Sequence, residues 1–68
     1  MQSFIIKTNR KRLDHMSYVA LSRQLSAQNV SHLYDAMMRA ITIDNDKDVA
    51  TLRQLCASLN YTLTPIKD

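Results

Sequence analysis

Residues 17–41, SYVALSRQLSAQNVSHLYDAMMRAI, carry two helix-spaced sets of apolar residues separated by only a few polar ones. That spacing constrains the fold more than any other feature of the chain. Tyr18, Leu21 and Leu25 fall at i, i+3, i+7, one helical face, with Ser22 beside them and Arg23 and Gln24 turned away. Val30, Leu33, Met37 and Ile41 share a second face, flanked by Tyr34 and Met38, with Ser31, His32, Asp35 and Arg39 outward. Ser17 can cap the first helix, because its hydroxyl can accept from a free first-turn N–H. Gln28 or Asn29 stands where the second helix would begin. Two helices so close in sequence must cross steeply, which is helix-turn-helix geometry.

The 68 residues allow one domain, residues 1–68. A chain this short buries about 60% of its unfolded surface, so its core is marginal and a homodimer is expected. Glycine is absent. Every left-handed turn must then be made by Asn, Asp or Ser. Net charge is +3, compatible with a nucleic-acid partner without requiring one. Lys7, Arg10, Lys11 and Arg12 lie together, as do Asp44, Asp46 and Asp48, so a basic end and an acidic patch are expected. The single cysteine allows no internal disulfide. No apolar run approaches a membrane span, and the start does not read as a signal peptide. A cytoplasmic location follows as an expectation.

The flanks complete the predicted order. SFIIKT, residues 3–8, is rich in β-branched and aromatic residues and reads as a strand, with Phe4 and Ile6 on one face and Ile5 and Lys7 on the other. Residues 9–16 read as a helix capped by Asn9 that buries Leu13 and Met16. TIDNDKD is a polar loop, and Asp46 or Asp48 is placed to cap the next helix. Residues 48–59 give that amphipathic helix through Val49, Leu52, Leu55, Cys56 and Leu59, ended by Asn60 in the left-handed region. Tyr61–Thr64 alternate as a strand that Pro65 ends or confines to an edge. The expected fold is mostly α with short terminal β-strands, in β-α-α-α-α-β order.

Ser17, Leu21-Ser22 and Leu25-Ser26, then Ser31-His32-Leu33-Tyr34, then Thr51-Leu52 through Leu59-Asn60 followed by Tyr61-Thr62-Leu63, stand in the order of a known pattern. The set resembles the Xre/Cro-type helix-turn-helix regulators, and especially their small addiction-module antidotes. The resemblance covers residues 17–41 and 48–64. Ser22 and Ser26 depart from it, since the family has Ala and Gly there. A weaker resemblance is to the Arc-type ribbon-helix-helix repressors, carried by Phe4–Thr8, Leu13–Leu25 and Asn29–Ile41. In that family the strand enters the groove, and Lys7 and Asn9, or Ile5 and Lys7, would read bases. Either resemblance implies a sequence-specific DNA-binding repressor of phage, plasmid or toxin–antitoxin type. It implies double-stranded DNA as partner, a homodimer, and a toxin as a possible further partner.

Gln28, Asn29, Ser31 and His32 are the candidate base contacts: Asn and Gln pair bidentately with adenine, and Ser and His reach base edges. The bland alternative makes them turn and cap residues on a solvated face. Lys7, Arg10, Lys11, Arg12, Arg23 and Arg39 are the candidate phosphate contacts, against a plain solvated charge run. Asp44, Asp46 and Asp48 open like a calcium loop, but Val49 and Leu55 stand where that loop needs Gly and Glu. Cys56 reads as a small core residue, and the histidines form no metal-ligand spacing with it. Neither a cofactor nor a metal is expected, and the chain reads as a non-enzyme. The competing function is a small protein-binding inhibitor or adaptor without DNA binding. Met37 and Met38 would serve it, because flexible methionines suit protein-binding surfaces as well as cores.

Overall fold

A computed structural model describes residues 1–8 and 11–66. In chain order the elements are β1 (Gln2–Thr8), β2 (Lys11–Arg12), α1 (His15–Ala27), β3 (His32–Asp35), β4 (Ala40–Ile43), α2 (Val49–Ser58) and β5 (Thr62–Pro65), with a 3₁₀ turn at Asp46–Asp48 before α2. The strands form one five-stranded antiparallel sheet. Phe4 and Ile5 pair with both β4 and β5, so those two strands flank β1 on opposite sides. Lys7 pairs with Thr62 of β5 and with Arg12, so β2 lies on the β4 side and continues its row. Leaving β2 aside, the order across the sheet is β5-β1-β4-β3. This is the doubled split β-α-β order of ferredoxin-like topologies. Such a topology hosts many activities, so it fixes none.

The expected mostly-α order is therefore wrong. Among the described residues there are two α-helices, not four, and residues 30–41 form a β-hairpin instead of a recognition helix. Neither the helix-turn-helix unit nor the strand-helix-helix arrangement is present. Ile41-Thr42-Ile43 is the β-branched run that decides the matter, since β4 pairs with β1 and buries Ile41 and Ile43 on the face that the helices cover. The helix expected at 9–16 is also replaced. Lys11 and Arg12 turn back on β1, and α1 starts at His15. Asp14, not Ser17, is its cap, and the carboxylate accepts from the Ser17 N–H at 2.8 Å. Asn9 lies outside the described residues. The two ends pair with each other through β1 and β5.

One core lies between the sheet and both helices. Phe4 and Ile6 of β1 and Ile41 and Ile43 of β4 meet Tyr18, Leu21 and Leu25 of α1 and Val49, Leu52 and Cys56 of α2. The helical faces expected for 17–25 and 48–59 are the buried ones, though Leu59 at the end of α2 stays exposed. Leu13 is buried, but Met16 is exposed. Leu33, expected between helices, is 68% exposed, because alternation along β3 turns it away from the core. Without glycine, the left-handed positions fall to Asn29, Arg39 and Asn60, at φ 59°, 51° and 60°. Asn29 and Asn60 each follow the capping residue of a helix, where glycine is commonest.

Candidate functional site

Both helices cover the same face of the sheet, and the opposite face is open. Register gives its side chains in rows. Leu33, Thr42 and Ser3 form one, and Asp35, Ala40, Ile5 and Thr64 the next. Lys7 comes after them, between Arg12 and Thr62. Ser3 and Thr42 share a 2.7 Å hydroxyl–hydroxyl hydrogen bond across β1 and β4. Leu33 stands exposed on this face, and Met37 and Met38 project from the β3–β4 turn at its rim, 96% and 53% exposed. The turn is held by the Asp35 carboxylate, whose Oδ1 accepts from the N–H groups of Met37 and Met38 at 3.0 and 3.2 Å. A shallow groove of about 310 Å³ runs beside it, lined by Met1, Ser3, Asp35, Met38, Thr42 and Ile66 among others.

Charge is polarised along β1. Lys7, Lys11 and Arg12 gather where β1 turns into β2, and Arg39 lies in the neighbouring β3–β4 turn. The Arg12 guanidinium donates to the Met38 carbonyl at 3.4 Å. Asp44 and Asp46 mark the other end. Asp46 takes the N-terminal ammonium at 3.3 Å and the Gln2 side chain at 3.4 Å. Asp48 precedes α2 but makes no capping bond, and it is Asn45 that caps the 3₁₀ turn. The three aspartates thus face separate tasks and form no ligand set. Among the described residues no group of three His, Cys, Asp or Glu could hold a metal ion.

The residues expected to read bases do not share a helix N-terminus. Gln28 and Asn29 close the C-terminal end of α1, Ser31 lies in the following loop, and His32 begins β3. The Ser31 hydroxyl donates to Asp44 at 2.6 Å, so this group sits at the acidic end. The expected phosphate contacts Lys7, Lys11, Arg12 and Arg39 sit at the other end, and Arg23 is on the exposed side of α1. Arg10 lies outside the described residues. From Gln2 to Lys7 the strand advances about 17 Å, the scale on which the two ends are set apart.

His32 makes a contact that the sequence did not signal. Its Nδ1 lies 2.8 Å from the Val30 carbonyl and its Nε2 lies 2.6 Å from Ser22 Oγ. A carbonyl only accepts, so Nδ1 carries the proton and Nε2 accepts from the serine in the neutral ring. A serine on an imidazole is the pairing that activates nucleophiles. Here the serine is mid-helix and half-buried, and it does not line the groove beside the β3–β4 turn. The pair ties α1 to β3. Cys56 is buried among core side chains, and burial pushes its thiol up to about 11.

Helical spacing puts Leu33 and Met37 on one apolar face with Met38 on its flank, so it buries three side chains that the structure exposes. The competing protein-binding reading is what put Met37 and Met38 at a surface. Among the described residues no helix is long and apolar enough to cross a membrane. Comparison with protein-family models, curated proteins and solved structures finds no match to this chain.

Proposed function

We propose that this chain is a small, non-catalytic protein-binding module, of inhibitor or adaptor type. The observation that carries the reading is the open sheet face with Leu33 on it and Met37 and Met38 at its rim. Large apolar side chains cost free energy in water, and a chain this small has few to spare from its core. Several of them grouped on one uncovered face mark an interaction surface. Methionine adds adaptability, because its unbranched thioether repacks against different partners. Among the described residues the open face carries no aromatic ring, since Tyr34 points to the helix side and stacks on Tyr18 with centroids 4.9 Å apart. Base stacking, the usual means by which an open sheet holds single-stranded nucleic acid, therefore has no platform there.

The test is affinity capture from lysate with the wild-type chain beside Leu33→Glu and Met38→Glu variants of unchanged melting. A discrete partner held by wild type and lost by both variants is expected. Equal capture by all three would sink the reading. The DNA-binding repressor is the competing outcome, read by a gel shift on genomic fragments at low salt. Retention that weakens steeply with salt and persists in both variants would favour it.

A further inference from the structure

We propose that the outer edge of β3 docks an extended segment of a partner protein, which adds to the sheet as a further strand. Its side chains on the open face would read cation, apolar, cation at alternate positions. The inference rests on the protein-binding reading and names the partner's chemistry.

The two outer edges of the sheet differ. On β5, the Ile66 N–H donates to the Ser3 carbonyl at 2.9 Å. With Phe4 opposite Pro65, the bonded rungs fall at Ile66, Thr64 and Thr62, and Pro65 faces outward. Proline has no N–H to offer, so that edge is blunted. On β3, the Asp44 N–H donates to the Ser31 carbonyl at 3.2 Å. With Leu33 opposite Thr42, the bonded rungs fall at Ser31, Leu33 and Asp35. The N–H and C=O groups of His32 and Tyr34 therefore point away from β4. Among the described residues no turn, loop or side-chain hydrogen bond reaches them. This edge has no proline, lysine or bulge, and unpaired strand groups are a template for another strand.

The edge is also held rigid. Ser22 fixes His32, and Tyr18 stacks on Tyr34, so both helix-side residues are pinned. On the open side, Leu33 is flanked by Asp35 and by Ser31 with its bonded Asp44. Neither aspartate is in an ion pair among the described residues. An incoming antiparallel strand thus meets the Asp35 carboxylate, the exposed Leu33 and Ser31 at alternate positions, with the Asp44 carboxylate bonded to Ser31 from the β4 side, one strand further in. Cross-strand pairs of opposite charge stabilise, and like charges opposite one another destabilise. A second copy fits poorly for that reason. Two-fold pairing about Leu33 sets Asp35 opposite Ser31 of the other copy, twice, with Asp44 one strand behind it, so neither copy offers the other a cation.

The experiment titrates the ¹⁵N-labelled full chain with the peptide acetyl-Thr-Lys-Thr-Val-Thr-Lys-Thr-amide. The expected result is a shift of the His32 and Tyr34 amides together with slowed hydrogen exchange there. Replacing both lysines by glutamate, or N-methylating the two threonines beside valine, should weaken binding at least tenfold. Asp35→Asn with Asp44→Asn should remove most of the preference for lysine while leaving the fold intact. Absence of shifts at these amides, or equal binding of the glutamate peptide, overturns the proposal. Concentration-dependent shifts of the same amides without peptide would assign the edge to a second copy and also overturn it. Failure here with capture that still depends on Leu33 and Met38 refutes the edge alone. Peptide binding at the edge with no such dependence in lysate refutes the broader reading instead.

Discussion

The Tyr18 hydroxyl lies 2.9 Å from the Ile6 amide nitrogen and 3.3 Å from the Ile6 carbonyl oxygen. It fills the one rung of β1 that β4 leaves at Ile5 and β2 resumes at Lys7. The Ile6 carbonyl also accepts from the Leu13 N–H at 3.1 Å. A helix side chain thus completes the hydrogen bonding of the central strand and locks α1 onto it. Tyr18→Phe keeps the ring but leaves the Ile6 N–H buried and unpaired. The expected cost is about 1–3 kcal/mol, read as a lower urea midpoint with unchanged slope. A midpoint equal to wild type would show that water or a local shift satisfies the strand.

Leu52 and Leu33 provide a paired test of the fold. Leu52 is fully buried and Leu33 is 68% exposed. Leu52→Ala should cost about 2–5 kcal/mol, enough to unfold a domain of this size. Leu33→Ala should stay within about 0.5 kcal/mol of wild type. The helical-hairpin alternative requires both to be costly, so thermal melts of the two variants discriminate directly.

How legible the chain was depends on the segment. Tyr18, Leu21 and Leu25, and Val49, Leu52 and Cys56, declared their helices because long amphipathic segments repeat the signal several times. Phe4 and Ile6 declared β1 in the same way. The hairpin at 32–43 was hidden. Its strands are four residues each, too short for alternation to outweigh an accidental 3.6-residue spacing through Val30, Leu33, Met37 and Ile41. Its turn contains no Asn-Gly or Asp-Gly pair, the usual hairpin signal. Ala36, Met37, Met38 and Arg39 are good helix formers, and the Asp35 carboxylate and a left-handed Arg39 bend them nonetheless. The sheet overrode local propensity there. The open face was hidden with it, since turning β3 from helix to strand moves Leu33 from core to surface.

Two groups give the stability a dependence on pH at its extremes. Asp14 is held below the ordinary 3.8, chiefly by the hydrogen bond from the Ser17 backbone N–H. A depressed carboxylate contributes stability that is present above its unfolded value and lost as pH falls through the folded one. Asp14→Ala should therefore melt below wild type at neutral pH, with the gap closing in acid. Cys56 is shifted the other way by burial, from 9.0 to about 11. Its contribution is full below the unfolded value and is lost as pH rises between the two. The native thiol should react with a disulfide reagent at pH 8 only as fast as the chain opens. Fast stoichiometric labelling of the folded protein would show that Cys56 is not enclosed.

Arg39 is the costliest of the three left-handed residues, because its Cβ crowds the backbone at φ 51° and it lacks the short polar side chain that lets Asn tolerate the region. A glycine-free chain has to bear that strain where the β3–β4 turn needs it. Arg39→Gly relieves the crowding but loosens the unfolded chain, and the first effect is the larger at a positive φ. The net gain expected is about 0.5–1 kcal/mol. Arg39→Asn should give a smaller gain without the entropic loss. Asn60→Gly should change little, since Asn is already suited to the position. Arg39→Ala should not stabilise at all, because it keeps the Cβ and so separates strain relief from removal of a charge at the basic end. If Ala and Gly stabilise equally, crowding of the cations, not backbone strain, is what the turn suffers from.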